Sequence, residues 1–230
     1  MNVVLPTYNR LDYLKRSTNS LLDSEMTEED FVWVYDDASF EEGVKDFLLK
    51  NESDKFKVSF NEKNLGCDLN VYESIKKTFQ STTEDFVVVT DPDAIYNSQW
   101  LEFIKQKLST HKNIGLLSVF NTENHLEVKP HKDSELCIKE SVGGLAVAVN
   151  RKIFERVNPN IVLPYHKNFC WDWQCVALCR DLRYDIVCSK DSYVDHIGFI
   201  GVHSRSEKTA DRAQNFLGAN RSESFEDFIL

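Results

Sequence analysis

The sequence predicts an α/β domain with a mainly parallel central sheet flanked by helices, and three observations carry that expectation. Apolar strand-like runs alternate with runs of helical period over the first 110 residues, in the order β-α-β-α-β-α-β-α. The run Phe86-Val87-Val88-Val89-Thr90 is β-branched and apolar on both faces, as a parallel strand covered on both sides requires. Polar clusters directly follow the first, second and fourth strands, and a parallel sheet gathers such strand ends on one rim.

The elements follow in order. Asn2–Pro6 is a short apolar strand, and Leu11, Leu14, Leu21 and Leu22 then recur at helical spacing. Phe31–Tyr35 is the second strand, Val44, Phe47 and Leu48 mark a short helix, and Lys57–Phe60 alternates as a third strand. Tyr72, Ile75 and Phe79 set the next helix, and Leu101, Ile104 and Leu108 the one behind the 86–90 strand. Beyond residue 110 the pattern changes: Ile114–Phe120 reads as a strand, 121–140 as a polar loop or hairpin, and 144–149 as a small-residue strand with a short helix after it at 151–157. Trp171, Cys175, Leu178 and Leu182 share one face of a later helix that begins near Asp172. The tail from Ser204 is polar and charged, with Phe216 and Leu217 as docking residues.

Composition narrows the function. At 230 residues and 42% hydrophobic the chain suits one domain, expected over 1–230 with a 1–110 half, a 111–203 half and a 204–230 tail. Lys and Arg number 27 against 37 Asp and Glu, a net charge of −10, which excludes a nucleic-acid groove or anionic-lipid surface held by bulk electrostatics. No apolar run reaches the roughly 18 residues that cross a bilayer, and the amino terminus is too short and uncharged for a secretory signal, so a cytoplasmic setting is expected. The six cysteines form no C-x-x-C pair and are expected as reduced core thiols.

Two acidic clusters stand out. Asp91-Pro92-Asp93 places two carboxylates one residue apart at a strand end, where they either grip a hard divalent cation that bridges to phosphate or form an ordinary turn. Asp36-Asp37 follows the second strand, where a carboxylate either accepts from a nucleobase or ribose or caps the helix in the forties.

Val3-Val4-Leu5-Pro6-Thr7-Tyr8-Asn9-Arg10, Tyr35-Asp36-Asp37-Ala38-Ser39, Asn61-Glu62-Lys63-Asn64-Leu65-Gly66 and Val89-Thr90-Asp91-Pro92-Asp93 together, in this order and at these intervals, resemble family 2 glycosyltransferases of the GT-A fold. Ser141-Val142-Gly143-Gly144 followed by Arg151-Lys152-Ile153-Phe154 is similar to the family's acceptor-side strand and helix. The resemblance implies that Pro6, Thr7, Tyr8 and Arg10 line the nucleotide, that Asp36 or Asp37 binds the base, and that the Asn64–Gly66 turn closes over the nucleoside. It implies that Asp91 lies near ribose and metal, that Asp93 ligates the metal directly, and that His196 adds a further ligand, the ion being Mn²⁺ or Mg²⁺. Asp172 matches the catalytic base, although Trp171-Asp172-Trp173 lacks the Glu that usually precedes it.

Each assignment has a plain structural rival. Asp172 in a first helical turn also caps free N–H groups. Trp171 and Trp173 form either a platform for the apolar face of an acceptor sugar or core packing, with one of the two expected in the core. A lid formed by the tail would bring His203, Arg205 and Lys208 to the diphosphate. The family's Q-x-x-R-W signature is absent, which favours transfer of a single sugar. The implied reaction is metal-dependent, inverting transfer from a UDP- or dTDP-sugar to a hydroxyl of a carbohydrate acceptor. Its rivals are a nucleotidyltransferase, which would want a glycine-rich loop after the first strand, and a non-catalytic nucleotide- or glycan-binding module.

Overall fold

The computed structural model describes residues 1–164, 166–198 and 211–218. Its first half follows the expected alternation: β1 (Asn2–Thr7), α1 (Leu11–Leu22), β2 (Phe31–Asp36), α2 (Val44–Asn51), β3 (Phe56–Phe60), α3 (Cys67–Gln80) and β4 (Phe86–Val89). A short strand β5 (Ala94–Tyr96) and helix α4 (Trp100–Thr110) complete it. The second half contains β6 (Ile114–Ser118), β7 (Glu127–Pro130), β8 (Leu136–Lys139), β9 (Val147–Asn150), α5 (Arg151–Phe154), α6 (Trp171–Leu182), β10 (Asp185–Ser189) and β11 (Val194–His196).

Nine strands form one sheet in the order β3-β2-β1-β4-β9-β6-β10-β8-β7. The β3-β2-β1-β4 side is parallel throughout. Strand β9 runs antiparallel to both of its neighbours, β6 and β10 pair in parallel, and β7 and β8 form an antiparallel hairpin within the polar 121–140 segment. Pro6 is accommodated in an interior strand because the β1–β4 ladder ends at Val4 opposite Val89, so β4 asks nothing of the missing N–H.

Strand alternation divides the core between the two sheet faces. Val3, Leu5 and Val88 pack with Leu14 and Leu21 of α1 and with Trp100, Leu101 and Ile104 of α4. Val4, Val87 and Val89 pack on the other face with Ile75 and Phe79 of α3 and Cys175 and Cys179 of α6. Leu22 turns away from this core and is exposed, because the buried stripe of α1 runs through Leu14, Ser17, Thr18 and Leu21. The 144–149 strand begins later than its small residues suggest: Ala146 adopts a left-handed φ of 48°, so the extended chain starts at Val147. Segment 211–218 is docked as its apolar residues imply, with Phe216 packed against the core and Leu217 hydrogen-bonded to Ser192 and Asn97 through its backbone. No described helix is long and apolar enough to cross a membrane.

Candidate active site

The carboxyl ends of β1, β2 and β4 meet at one rim, and their loops are braced by one another's side chains. Asn9 and Arg10 turn out of β1 with left-handed φ values of 52° and 61°. Asn9 Oδ1 accepts the backbone N–H groups of Phe40 and Glu41, both at 3.0 Å. Helix α1 has no capping side chain of its own, and Glu41 fills that role from the neighbouring loop by accepting from Arg10 N at 2.5 Å and Leu11 N at 3.1 Å. Tyr8 is exposed on this rim with its ring edge-on to Phe40, centroids 6.1 Å apart. Thr7 is buried, and its Oγ1 has no hydrogen-bond partner.

Asp36 and Asp37 are both buried and both used by the loops themselves. Asp36 accepts from Ser39 N at 2.9 Å and from Ser39 Oγ at 2.5 Å; burial pushes its carboxyl up and the Ser39 bonds partly offset this. Asp37 accepts from Asn61 Nδ2 and Leu65 N on one oxygen and from Gly66 N on the other, at 2.9, 2.8 and 2.9 Å. Asn64 donates to the Asp37 carbonyl at 3.3 Å. Gly66 needs its freedom here: its φ of 84° carries the chain into α3 while its N–H faces Asp37. Neither aspartate caps α2, whose first turn is preceded by Gly43.

Asp93 is the electrostatic centre. Arg10 Nη1 lies 2.6 Å from its Oδ2 and His196 Nε2 lies 3.3 Å from its Oδ1. His196 arrives through backbone pairing, since β11 runs antiparallel to β5 with His196 opposite Ala94. Gly198 then passes so close that a Cβ there would fall 2.0 Å from Asp93 Oδ2 and 2.7 Å from His196 Nε2. Burial alone would raise the Asp93 carboxyl, but His196 and Arg10 hold it down to about 2. The neighbouring Asp91 is pushed up to about 6 by burial and by repulsion from Asp93. The His196 imidazole is disfavoured as a cation by burial, and attraction to Asp93 and Asp91 outweighs this and raises it.

The donor set of two carboxylates and an imidazole suits Mn²⁺ or Mg²⁺ chemically, and only a glycine fits where Gly198 passes against Asp93 and His196. As the side chains stand, no three His, Cys, Asp or Glu among the described residues converge on one point that would hold a metal ion, and Arg10 holds one oxygen of Asp93.

Across the rim, Asp172 lies in the first turn of α6 and accepts from Trp173 N at 2.8 Å. Burial raises its carboxyl, with Asp68 adding to the shift and the Trp173 N–H opposing it. Trp171 is buried against Gly144, whereas Trp173 is 39% exposed and lies 5.5 Å from the His166 ring. One indole is thus core and the other is available on the surface, as expected for the pair. Cys67 departs from the core expectation: it is exposed at the first position of α3, and its thiol is pushed up to about 12 by burial of the sulfur and by Asp91, Asp68, Asp172 and Asp37. That shared influence places Asp37, Asp91 and Asp172 in one neighbourhood. Cys170 is also partly exposed, 3.3 Å from His166 Nδ1.

Several contributors escape a reading of the sequence alone. Ser39 and Asn61 stand in quoted segments, but their holds on Asp36 and Asp37 do not show there; Glu41 and Gly198 carry no motif that announces their contacts. His203, Arg205 and Lys208 lie outside the described residues.

Solved structures of similar fold include S. aureus TarS 1-349, with a TM-score of 0.58 and 20% identity over 84% of this chain and 59% of that one. The same TarS fragment in complex with UDP-GlcNAc gives a TM-score of 0.59 and 18% identity over 88% and 61%. The mannosyltransferase PcManGT from Pyrobaculum calidifontis, in complex with GDP-Man and Mn2+, gives a TM-score of 0.50 and 19% identity over 68% and 46%. The chain therefore spans about six-tenths of the TarS fragment and under half of PcManGT. No curated protein matches at a significant level. Residues 2–172 match the family described as Glycosyl transferase family 2, well over half of the sequence and including every rim loop from Thr7 to Asp172, so the chain belongs to glycosyl transferase family 2.

Proposed function

We propose that this chain transfers a single sugar, with inversion, from a nucleoside-diphosphate sugar of the UDP or dTDP type to a hydroxyl of a carbohydrate acceptor. The observation that carries the reading is the convergence of Arg10, Asp91, Asp93, His196 and Asp172 on one rim, where each perturbs or contacts another. Fold neighbours holding UDP-GlcNAc, or GDP-Man with Mn2+, support the substrate class and a divalent cation.

In this reading Tyr8, Thr7 and Pro6 line the nucleotide, and Asp36 and Asp37 form its base-side wall together with Asn64 and Gly66. Arg10 and Asp91 face ribose and diphosphate. Asp91, Asp93 and His196 would hold Mn²⁺ or Mg²⁺, which supplies positive charge to the departing diphosphate. Asp172 takes the proton from the acceptor hydroxyl. Its raised carboxyl suits that task, because a base works best when its pKa approaches the working pH. Trp173 offers the exposed face for the acceptor ring, and Trp171 supports it from the core. A cytoplasmic setting fits the donor class.

The test is Asp172→Asn. Turnover of the donor is expected to fall by about 10²–10⁴-fold with UDP affinity little changed, by single-turnover kinetics and calorimetry. Unchanged turnover in this variant would remove Asp172 as the base, and wild-type binding without any turnover would support a binding module instead. Pyrophosphate release from a nucleoside triphosphate would point to a nucleotidyltransferase.

A further inference from the structure

We propose that Arg10 is a built-in counter-ion of Asp93 that a divalent cation displaces, and that the displaced guanidinium then holds the diphosphate, so that metal and nucleotide bind cooperatively through one side chain. The inference rests on the nucleotide-sugar reading above and adds the device that couples its two ligands.

The starting point is the occupancy of Asp93. One oxygen is held by Arg10 Nη1 at 2.6 Å, the other faces His196 Nε2 at 3.3 Å, and Gly198 closes over the pair. A cation that takes Asp93 must therefore move one of these partners. Arg10 is the partner with a like charge and a long side chain, and a dication beside a guanidinium in a partly buried site is strongly repelled. His196 belongs to the donor set itself, and its backbone is fixed by the β5–β11 ladder.

The second observation concerns what Arg10 does with its remaining donors. Its Nη2 is buried and has no hydrogen-bond partner, although the guanidinium stacks on the Tyr13 ring at 4.3 Å and its backbone N–H is anchored by Glu41. A buried donor left unpaired is costly, and an arginine fork with one arm engaged and one arm empty is suited to a second oxyanion. Thr7 Oγ1, three residues earlier at the end of β1, is also buried and unpartnered.

Charge counting gives the direction of the coupling. Asp91 and Asp93 against Arg10 carry one net negative charge, and a dication added alone turns the cluster positive. A diphosphate added with the dication removes that excess positive charge and gives Arg10 an oxygen in exchange for the one it loses. Each ligand then tightens the other by the same factor.

The experiment is calorimetric titration of Mn²⁺ into the full chain, with and without saturating UDP, for the wild type, Arg10→Gln and Arg10→Lys. Wild-type protein is expected to bind Mn²⁺ about tenfold tighter with UDP present than without it. Arg10→Gln should bind Mn²⁺ alone about tenfold tighter than wild type, because Asp93 is freed, and should lose most of the coupling. Arg10→Lys keeps a cation for Asp93 but not the second arm. Its Mn²⁺ affinity without UDP should stay near that of the wild type while the coupling falls, which provides the test if Arg10→Gln fails to fold.

Arg10→Gln with unchanged or weaker Mn²⁺ binding and intact coupling, or Arg10→Lys with full coupling, would overturn the proposal. So would wild-type UDP binding that is indifferent to Mn²⁺, which leaves the nucleotide reading standing. A wild type that binds no nucleoside diphosphate overturns the functional reading and this inference with it.

Discussion

The two sides of the rim are held by different balances of hydrogen bonds. On the β1–β2 side, side-chain oxygens reach for backbone N–H groups: Asp37 for Leu65 and Gly66, Asp36 for Ser39, Asn9 for Phe40 and Glu41, and Glu41 for Arg10 and Leu11. On the far side, long donors reach for backbone carbonyls. Lys139 holds Thr122 and His125, and Gln174 holds Asn158 and Ile161. The first arrangement consumes N–H groups in tight turns and fixes them individually. The second ties down a loop at one or two carbonyls and leaves Ile161, Val162 and Trp173 exposed between them. The β1–β2 side is thus pinned at each turn, whereas the 158–173 side is anchored at fewer points; in the proposed function these are the nucleotide and acceptor walls.

The largest effect that would break this comparison is expected from Asp37→Ala, which leaves the Leu65 and Gly66 N–H groups and Asn61 without their shared acceptor. A loss of about 3 kcal/mol or more in urea unfolding is expected, with UDP binding weakened in parallel. Gln174→Ala should cost less, about 1–2 kcal/mol, because it frees two carbonyls and the Asn158 N–H, on a segment that water can reach. It sharpens the comparison through kinetics: KM for the acceptor should rise while UDP affinity is unchanged. A matching loss of UDP affinity would show that the two walls are not independent.

The smallest effect lies on the β1–β4 half but away from the rim. Burial would raise the Asp30 carboxyl, yet bonds from Thr27, Lys105 and the amino terminus outweigh it and hold it below its ordinary 3.8. Its stabilisation is therefore complete above pH 3.8 and is lost as pH falls through its lower folded value. Urea midpoints across the acid range should show a shallower decline in Asp30→Asn than in the wild type. An identical slope would remove Asp30 from the acid sensitivity of this half.

How much was legible follows from the range of the forces involved. The β1-α1-β2-α2-β3-α3-β4 order was readable because each element has its own apolar period, and Trp171 shares a helical face with Cys175 that marks it as the buried indole. Strands β5 and β11 have three residues each, too few to show a period, and yet their pairing brings His196 to Asp93. Asp36 and Asp37 were readable as rim residues, but their engagement depends on amides and hydroxyls supplied by other parts of the loops. Cys67 looked like a core thiol because Leu65 and Leu69 flank it, while the helix start at Gly66 turns it outward.

Strand β9 has a further consequence. It runs opposite to β4, with Val147 beside Val89, so the chain enters β9 at the same end where Asp91 leaves β4. The segment that delivers Gly144 and supports Trp171 is therefore spliced in upstream of a strand whose own register is fixed on both flanks. Residues inserted or removed between β8 and β9 would reshape the mouth of the site while every ladder of the sheet keeps its partners, which lets this scaffold change customers without being refolded.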